Sequence, residues 1–134
     1  MKVMIVDDNA EMRGLIRAIL AKAASHFVEC ADGREAVAVY DKERPDWTIM
    51  DVAMGVMDGL TATRLLTAKH PQAHVVVVTQ HHNPVLRQRA WEAGATAFLP
   101  KEDLIELPST LAGCEQHATA PNGHAVTKNP DKPE

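Results

Sequence analysis

Four consecutive valines at 75–78 are the feature that most constrains the fold of this chain. A strand with one face in water alternates apolar and polar residues, so the run HVVVV over 74–78 predicts a strand that is buried on both faces. Such strands lie at the centre of parallel sheets that helices cover on both sides. The sequence therefore predicts a layered α/β domain with this strand near the middle of its sheet.

The rest of the chain repeats an alternation of strand-length apolar runs and helical patterns. Strands are predicted at KVMIV (2–6), HFVECA (26–31), DWTIMD (46–51), HVVVV (74–78) and TAFLP (96–100). Right-handed crossovers over both faces are the simplest way to connect parallel strands. Five such alternations therefore predict a doubly wound, five-stranded parallel sheet with the strand order 2-1-3-4-5.

Capping residues mark where the helices begin and end. Asn9 stands before the first helical pattern, and Asp32 precedes a helix predicted over Gly33–Glu43. The pair Asn83–Pro84 predicts the start of the fourth helix, because proline is favoured at a first helical position, where no N–H is needed. Gly94 is placed to end that helix.

Apolar residues at helical spacing indicate which helix faces pack on the sheet. The third helix is predicted over 60–69, and the last is predicted to follow a turn and start at Pro108. Trp91 is expected to pack against the sheet, with a partner contact as the alternative. The spaced apolar residues are Met12, Leu15, Ile16, Ile19, Leu20 and Ala23 in the first helix, then Ala36, Val37 and Tyr40, then Leu60, Leu65 and Leu66 as inward candidates.

The length of 134 residues suffices for one domain with a self-supporting core. We predict that domain over 1–115. Residues 116–134 have little to bury and are rich in Pro, Asn, Gly and Lys, which predicts a polar, flexible tail.

Composition excludes several classes of protein. The formal net charge is −4 and no basic stretch occurs, so direct nucleic-acid binding is not expected. No apolar run approaches the roughly 20 residues of a membrane span, and no secretory signal is visible, so we expect a cytoplasmic protein without membrane insertion. Cys30 and Cys114 lie far apart without a CxxC spacing, and we expect reduced thiols.

Polar side chains follow four of the five predicted strands, at the end where each strand stops. Asp7 and Asp8 follow the first strand, Asp51 ends the third, Thr79 follows the fourth and Lys101 follows the fifth. Ligands of such sheets bind in the crevice at the carboxyl ends of the strands. Each residue alone would be read as a cap, a turn residue or a surface charge, but their convergence on one edge predicts a single site.

The chemistry of this set points to phosphoryl transfer. Three carboxylates call for a hard divalent cation, and Mg²⁺ suits an open crevice with oxygen ligands. A metal ion, the Lys101 ammonium and the Thr79 hydroxyl would stabilise three oxygens of a phosphoryl group while the Asp51 carboxylate attacks phosphorus in line. The resulting acyl phosphate hydrolyses, so the modification would be a timed signal.

The motifs VMIVDDN, DVAMGVMDG, VVVVT and GATAFLPK resemble the receiver domain of two-component response regulators. The resemblance covers residues 2 to about 115 and implies the flavodoxin-like, or CheY-like, variant of the fold. It implies that Asp51 is the phosphoacceptor, Thr79 the switch hydroxyl, Lys101 the phosphate contact and Phe98 the switch aromatic. It also implies that Asp8, Asp51 and the Ala53 carbonyl hold Mg²⁺, with Asp7 acting mainly through water.

The resemblance further implies partners and a mode of action. A sensor histidine kinase or a histidine phosphotransfer protein would donate the phosphoryl group to Asp51. The surface of helix 4, strand 5 and helix 5 would then change shape and bind a downstream protein, as expected of a stand-alone response regulator. Beyond its own phosphorylation and dephosphorylation, we expect no enzymatic activity.

Three residues depart from the family pattern. Gly55 replaces a common proline and is expected to loosen the loop after Asp51. Gln80 replaces a small residue and is expected to slow phosphoryl transfer from small donors. Lys101 is followed by Glu102 and not by proline, so a cis peptide bond there has no obvious cause.

Other interpretations stay open at the level of sequence. His81 and His82 lie beside the crevice, but adjacent histidines on a loop point in different directions, which disfavours a second metal site. A degenerate receiver that serves only as an interaction module is an alternative. A small phosphatase with an aspartate nucleophile is a weaker one, because the chain has no insertion to form a substrate pocket.

Overall fold

The computed structural model describes residues 1–54, 57–80, 83–116 and 127–128. Strands and helices alternate along the chain, as the sequence predicts. The strands are β1 (Lys2–Val6), β2 (His26–Cys30), β3 (Trp47–Asp51), β4 (Val75–Thr79), β5 (Ala97–Pro100) and β6 (Thr127–Lys128). The helices are α1 (Ala10–Ile19), α2 (Gly33–Glu43), α3 (Gly59–Lys69), α4 (Pro84–Glu92) and α5 (Leu107–Gln116), with a 3₁₀ helix over Lys101–Glu106 before α5.

One sheet with the order β2-β1-β3-β4-β5-β6 runs through the molecule. The first five strands are parallel, which confirms the predicted doubly wound order 2-1-3-4-5. The structure adds β6, which lies within the predicted tail and pairs antiparallel with the edge of β5. Every residue of β4 is buried, as the valine run predicts for a central strand.

Two apolar layers cover the two faces of the sheet. On one face, Ile16 of α1, the following Leu20 and Leu111 of α5 pack against the sheet. On the other face, α2 and α3 contribute Ala36, Tyr40 and Leu66, and Trp91 of α4 packs against this layer. Because both faces are covered, ligands reach the sheet only at the ends of its strands.

The predicted helix caps are confirmed. The Asn9 side chain accepts hydrogen bonds from the N–H groups of Glu11 and Met12. Asp32 and Asn83 cap α2 and α4 in the same way, through side-chain oxygens that accept backbone N–H groups. These bonds satisfy donors that the first turn of a helix leaves without an intrahelical partner.

Helix ends differ in detail from the sequence predictions. Gly94 follows α4 with φ +96°, a left-handed conformation that favours glycine. The turn predicted before the last helix is a 3₁₀ helix, and Pro108 lies in the first turn of α5, where its missing N–H leaves no bond unmade. The last helix therefore begins at Leu107, one residue earlier than predicted.

Three of the spaced apolar residues are exposed. Leu65 was predicted to point inward but is 45% exposed, because the buried stripe of α3 consists of Gly59, Ala62, Thr63 and Leu66. Leu15 is 48% exposed on the flank of α1. Ala23 lies beyond the end of α1 and is exposed.

The two tryptophans have different environments. Trp47 is 1% exposed at the start of β3, and its ring lies 4.9 Å from the His74 ring. Trp91 on α4 is partly buried and meets the Phe98 ring edge-on at 6.3 Å between centroids. Both pack in the interior, as predicted for Trp91, although Trp91 keeps some exposure.

A polar network lies at the edge of the sheet opposite the predicted site. Asp41 of α2 accepts a hydrogen bond from Lys69 and pairs with the His70 Nε2 at 2.7 Å, and the His70 ring lies against Tyr40. These contacts join the ends of α2 and α3.

Among the described residues, no helix is long and apolar enough to cross a membrane.

Candidate functional site

The five polar residues that follow the strands meet at one edge of the sheet. Asp51 is the last residue of β3, Thr79 the last of β4, and Lys101 directly follows β5. Asp7 and Asp8 directly follow β1. A cavity of about 210 Å³ lies between them, lined by Asp7, Asp8, Asn9, Met12, Asp51, Ala53, Thr79, Gln80 and Lys101.

The loop between β1 and α1 is held by hydrogen bonds to Asp7. The Asp7 Oδ1 accepts the Asn9 N–H at 2.8 Å, while the Asp7 N–H donates to the Cys30 carbonyl of β2. Arg13 donates from Nη1 to the Asp7 carbonyl at 2.6 Å, and its Nε donates to Glu29 at 3.0 Å. The backbone of Asp7 is therefore held at both its N–H and its C=O.

Lys101 lies between two buried carboxylates. Its Nζ is 3.2 Å from the Asp51 Oδ1 and 3.4 Å from the Asp7 Oδ2. The side chains of Asp51 and Asp7 are 5% and 2% exposed, so this ammonium partly compensates two charges that have lost most of their hydration. One cation between two carboxylates leaves the cluster with a net negative charge.

The charge balance of the cluster appears in the titration of Asp51. Burial raises the pKa of Asp51 above its ordinary value of 3.8, and the neighbouring Asp7 charge raises this pKa further. The Lys101 charge and hydrogen bond, together with the Ala53 N–H, act in the opposite direction. Because the raising effects prevail, the Asp51 carboxylate lacks full compensation by the protein's own groups.

The acidic cluster fits a divalent cation. Asp7, Asp8 and Asp51 each offer a carboxylate oxygen, and these oxygens lie within 4.8 Å of one another. The buried Asp7 Oδ2 accepts no hydrogen bond from any described residue, which leaves a lone pair for a ligand. An all-oxygen set with an exposed member, Asp8, suits Mg²⁺, which retains several waters.

The backbone of Asp51 lies against the start of α3. The Gly59 N–H donates to the Val52 carbonyl at 2.9 Å, and a Cβ at Gly59 would lie 1.9 Å from the Asp51 carbonyl oxygen. Only glycine permits this close approach. The position of Asp51 is therefore fixed by the helix that follows the loop as well as by the sheet.

Thr79 and Phe98 occupy adjacent strands. Thr79 is 3% exposed, lines the cavity and lies opposite Pro100 in the register of β4 with β5. Phe98 is fully buried on β5 and belongs to the apolar layer under α4. The structure brings Asp7, Asp8, Asp51, Ala53, Thr79 and Lys101 to one cavity, whereas Phe98 lies outside its lining.

Some residues of this site were not singled out by their sequence. Met12 lines the cavity and Arg13 holds the Asp7 carbonyl. Both lie in the first turn of α1, directly after the loop that carries the aspartate pair, and this closeness in the chain was the signal available. Gly55, His81 and His82 lie outside the described residues, as does the Cys114 side chain, whereas Cys30 is a buried free thiol.

Comparison with known proteins gives consistent results. Residues 3–112 match the sequence profile of the response regulator receiver domain. The chemotaxis protein CheY of Halobacterium salinarum is 31% identical over 119 residues, which are 89% of this chain and 98% of that protein. The structure of the chemotaxis protein CheY4 of Vibrio cholerae matches with a TM-score of 0.76 at 32% identity, covering 83% of this chain and 95% of that chain.

Larger proteins also contain a similar segment. A protein-glutamate methylesterase/protein-glutamine glutaminase of Hahella chejuensis is 36% identical over 104 residues, which are 75% of this chain. Those residues span 30% of that protein. The similarity is therefore confined to a part of that larger protein.

Proposed function

The chain belongs to the response regulator receiver family, and we propose that it is a phosphorylation switch that accepts a phosphoryl group on Asp51. The observation that carries this proposal is the position of Lys101, whose Nζ lies 3.2 Å from the Asp51 Oδ1 inside an acidic cavity. The donor is a phosphohistidine of a sensor histidine kinase or of a histidine phosphotransfer protein.

The proposed reaction exchanges one bond for another at phosphorus. An Asp51 carboxylate oxygen forms a bond to phosphorus as the bond from phosphorus to the donor imidazole nitrogen breaks, and the imidazole leaves with the bonding electron pair. Lys101 then donates to a phosphoryl oxygen. A Mg²⁺ ion held by Asp8, Asp51 and the Ala53 carbonyl, with Asp7 acting through water, would neutralise further phosphoryl charge.

Phosphorylation is proposed to shift an equilibrium between two conformations. Thr79 lines the cavity, and its hydroxyl would contact a phosphoryl group on Asp51. Phe98 lies on the neighbouring strand beside Trp91 of α4, so a movement of Thr79 would be felt in this aromatic pair. The surface formed by α4, β5 and α5 would then bind a downstream protein.

The setting that we propose follows from the same features. The protein acts in the cytoplasm and signals through protein contacts, without direct binding of nucleic acid, since its net charge is −4. Its chemistry is limited to its own phosphorylation and dephosphorylation. A degenerate receiver would lack one or more of the cavity residues, whereas here the acidic cluster and Lys101 are in contact.

Incubation with a small acyl phosphate and Mg²⁺ tests the proposal. We expect the intact mass of the wild type to rise by one phosphoryl group, and the mass of Asp51→Asn to stay unchanged. Omitting Mg²⁺ should abolish the gain, because the carboxylate cluster then repels the phosphoryl oxygens.

Two outcomes would contradict the proposal. A wild type that gains no phosphoryl group from either a small donor or a phosphohistidine protein would be an interaction module only. An equal gain in Asp51→Asn would place the modification on another residue. A Lys101→Ala variant tests the role of the ammonium separately, since it should bind Mg²⁺ yet accept the phosphoryl group more slowly.

A further inference from the structure

The outer edge of β5 presents backbone groups where the parallel part of the sheet ends. All four residues of β5 have buried side chains, so the edge itself consists of N–H and C=O groups. β6 pairs antiparallel with this edge, with Ala97 opposite Lys128 and Phe98 opposite Thr127. An edge of this kind is a template for any added strand.

Hydrogen bonds between β3 and β4 set the direction of the backbone groups across the sheet. The Thr48 N–H donates to the His74 carbonyl at 2.9 Å, and the Val52 N–H donates to the Val78 carbonyl at 3.1 Å. Both carbonyls therefore point from β4 toward β3. Because backbone groups of a strand alternate between its two sides, those of Val77 point the other way, toward β5.

This alternation assigns the outward-facing residue of β5. In a parallel pair, a residue bonds to the two residues that flank its opposite number, and Val77 lies opposite Phe98. The N–H and C=O of Phe98 therefore point away from β4 and toward β6. Thr127 lies opposite Phe98, so these two residues form the antiparallel pair that exchanges both hydrogen bonds.

The connection to β6 is long enough for an intramolecular pairing. Ten residues, 117–126, separate the end of α5 from β6. An extended chain of that length reaches roughly 33 Å, which is about the diameter of a small domain. A short tether gives the attached segment an effective concentration in the millimolar range, so even a two-residue strand can be held at the edge and still be displaced.

The paired edge belongs to the same strand that leads into the site. Phe98 carries the ring that meets Trp91, and Lys101 follows the last residue of β5 directly. Pro100 has no N–H, so an added strand finds its donors on this edge before the end of β5. Phe98 is therefore the residue of β5 that pairs with β6 through its backbone and contacts Trp91 through its ring.

We propose that the outer edge of β5 is a strand-docking surface that the chain's own Thr127–Lys128 segment occupies, so that an external partner adding an extended segment at Phe98 must first displace it. This inference rests on the proposed function for its biological role. It deepens that function because the Thr127–Lys128 segment would compete with a downstream protein for the surface formed by α4, β5 and α5. Partners that bind by strand addition gain their affinity from main-chain hydrogen bonds, and this edge offers them.

Backbone amide hydrogen exchange of the full chain, without any phosphodonor, tests the pairing. Thr127→Pro removes the N–H that faces Phe98, and we expect the Phe98 amide to exchange about tenfold faster or more in this variant, as on removal of a tethered partner. Thr127→Ala keeps the backbone N–H and should match the wild type. Lys128→Pro is a second control, because the Lys128 N–H points away from β5 and proline is tolerated on an edge strand.

A synthetic peptide of residues 121–134 serves as the external strand. We expect it to bind Thr127→Pro more tightly than the wild type, in which the tethered segment competes, and to restore slow exchange at Phe98. Equal Phe98 exchange in the wild type and Thr127→Pro, or equal peptide affinity, would overturn the proposal. If the protection of the Phe98 amide from exchange falls on dilution of the protein, the strand paired with β5 comes from a second copy of the chain. That result would overturn the intramolecular assignment.

The two proposals fail separately. A chain that accepts no phosphoryl group but shows the expected exchange pattern retains the strand-docking surface and loses only its link to phosphorylation. A chain that is phosphorylated on Asp51 but has equal Phe98 exchange in both variants loses only the surface.

Discussion

The buried Asp51 carboxylate destabilises the metal-free protein. Its pKa is raised in the folded state, so the folded protein binds this proton more tightly than the unfolded chain does. The contribution of Asp51 to folding stability therefore falls as the pH rises above its ordinary pKa of 3.8 and through the raised value. At neutral pH this residue favours unfolding unless a cation is bound.

We accordingly expect Asp51→Asn to stabilise the metal-free protein. At pH 7 the gain in the free energy of unfolding should be about 0.5–2 kcal/mol, measured by urea denaturation in the presence of a chelator. The gain should shrink toward acidic pH, where the wild-type carboxyl is protonated as well. Asp8→Asn is the matched control and should change stability less, because Asp8 is exposed.

Saturating Mg²⁺ provides the complementary measurement. Since a ligand that binds only the folded state stabilises it, Mg²⁺ should stabilise the wild type more than Asp51→Asn. If metal-free Asp51→Asn is less stable than the metal-free wild type at pH 7, then Lys101 alone compensates the charge of the Asp51 carboxylate.

Gln80 lies at the exposed side of the site. It is exposed and lines the same cavity as Asp51. We expect Gln80→Ala to accept a phosphoryl group several times faster from a small acyl phosphate, since a shorter side chain leaves more room for the donor. The rise of phosphoprotein in intact mass spectra gives the rate, and Gln80→Glu, which keeps the length, should stay slow. An unchanged phosphorylation rate in Gln80→Ala would contradict this prediction.

At the scale of elements, caps were easier to predict than faces. The capping residues Asn9, Asp32 and Asn83 act through local hydrogen bonds, and local sequence is enough to place them. The inner face of α3 was predicted in part wrongly because its buried stripe is mostly small, and counting large apolar residues favours Leu65. Leu65 and Leu66 are neighbours about 100° apart on the helix, so only one of them can face the sheet.

The start of α3 gives the sharpest test at this scale. A Cβ at Gly59 would lie 1.9 Å from the Asp51 carbonyl oxygen, so Gly59→Ala must displace either α3 or the end of β3. We expect a loss of about 3 kcal/mol or more in the free energy of unfolding, at the upper end of single substitutions. The displacement should also lower Mg²⁺ affinity, because it moves Asp51.

Gly14→Ala is the matched control for this substitution. Gly14 lies in the middle of α1, and a Cβ there would meet no described atom within 4 Å. Because alanine is the better helix former, we expect a gain of about 0.5–1 kcal/mol in thermal or urea unfolding. Equal effects of the two substitutions would mean that the contact between Gly59 and Asp51 relaxes freely.

At the scale of the whole molecule, topology explains why the site was predictable. Each of the five polar residues looks ordinary in its own loop, but the parallel order brings the ends of β1, β3, β4 and β5 to one edge. The pairing of β6 with β5 could not be predicted, because a two-residue strand leaves no periodic pattern in a polar segment. The contact of Arg13 with Asp7 likewise depends on how α1 packs beside β2.

Cys30 reports on the cooperativity of the fold. Burial, followed by the nearby Glu35, raises the pKa of this thiol to about 12, so the folded protein holds almost no thiolate near neutral pH. In a Cys114→Ser background, we expect iodoacetamide at pH 8 to leave native Cys30 unmodified, and modification to follow the unfolded fraction as urea is raised. Rapid alkylation without denaturant would show that β2 opens locally.

The two tryptophans give the molecule an optical readout of its own conformation. Trp91 touches the ring of Phe98, so its emission senses the strand that leads to Lys101, whereas Trp47 lies deep in the opposite apolar layer beside His74. Trp91 emission should therefore change with the conformation of β5, whereas Trp47 emission serves as an internal reference. In a Trp47→Phe variant, the remaining emission comes from Trp91. Occupancy of the phosphoryl site and of the neighbouring sheet edge could then be followed in real time without an attached dye.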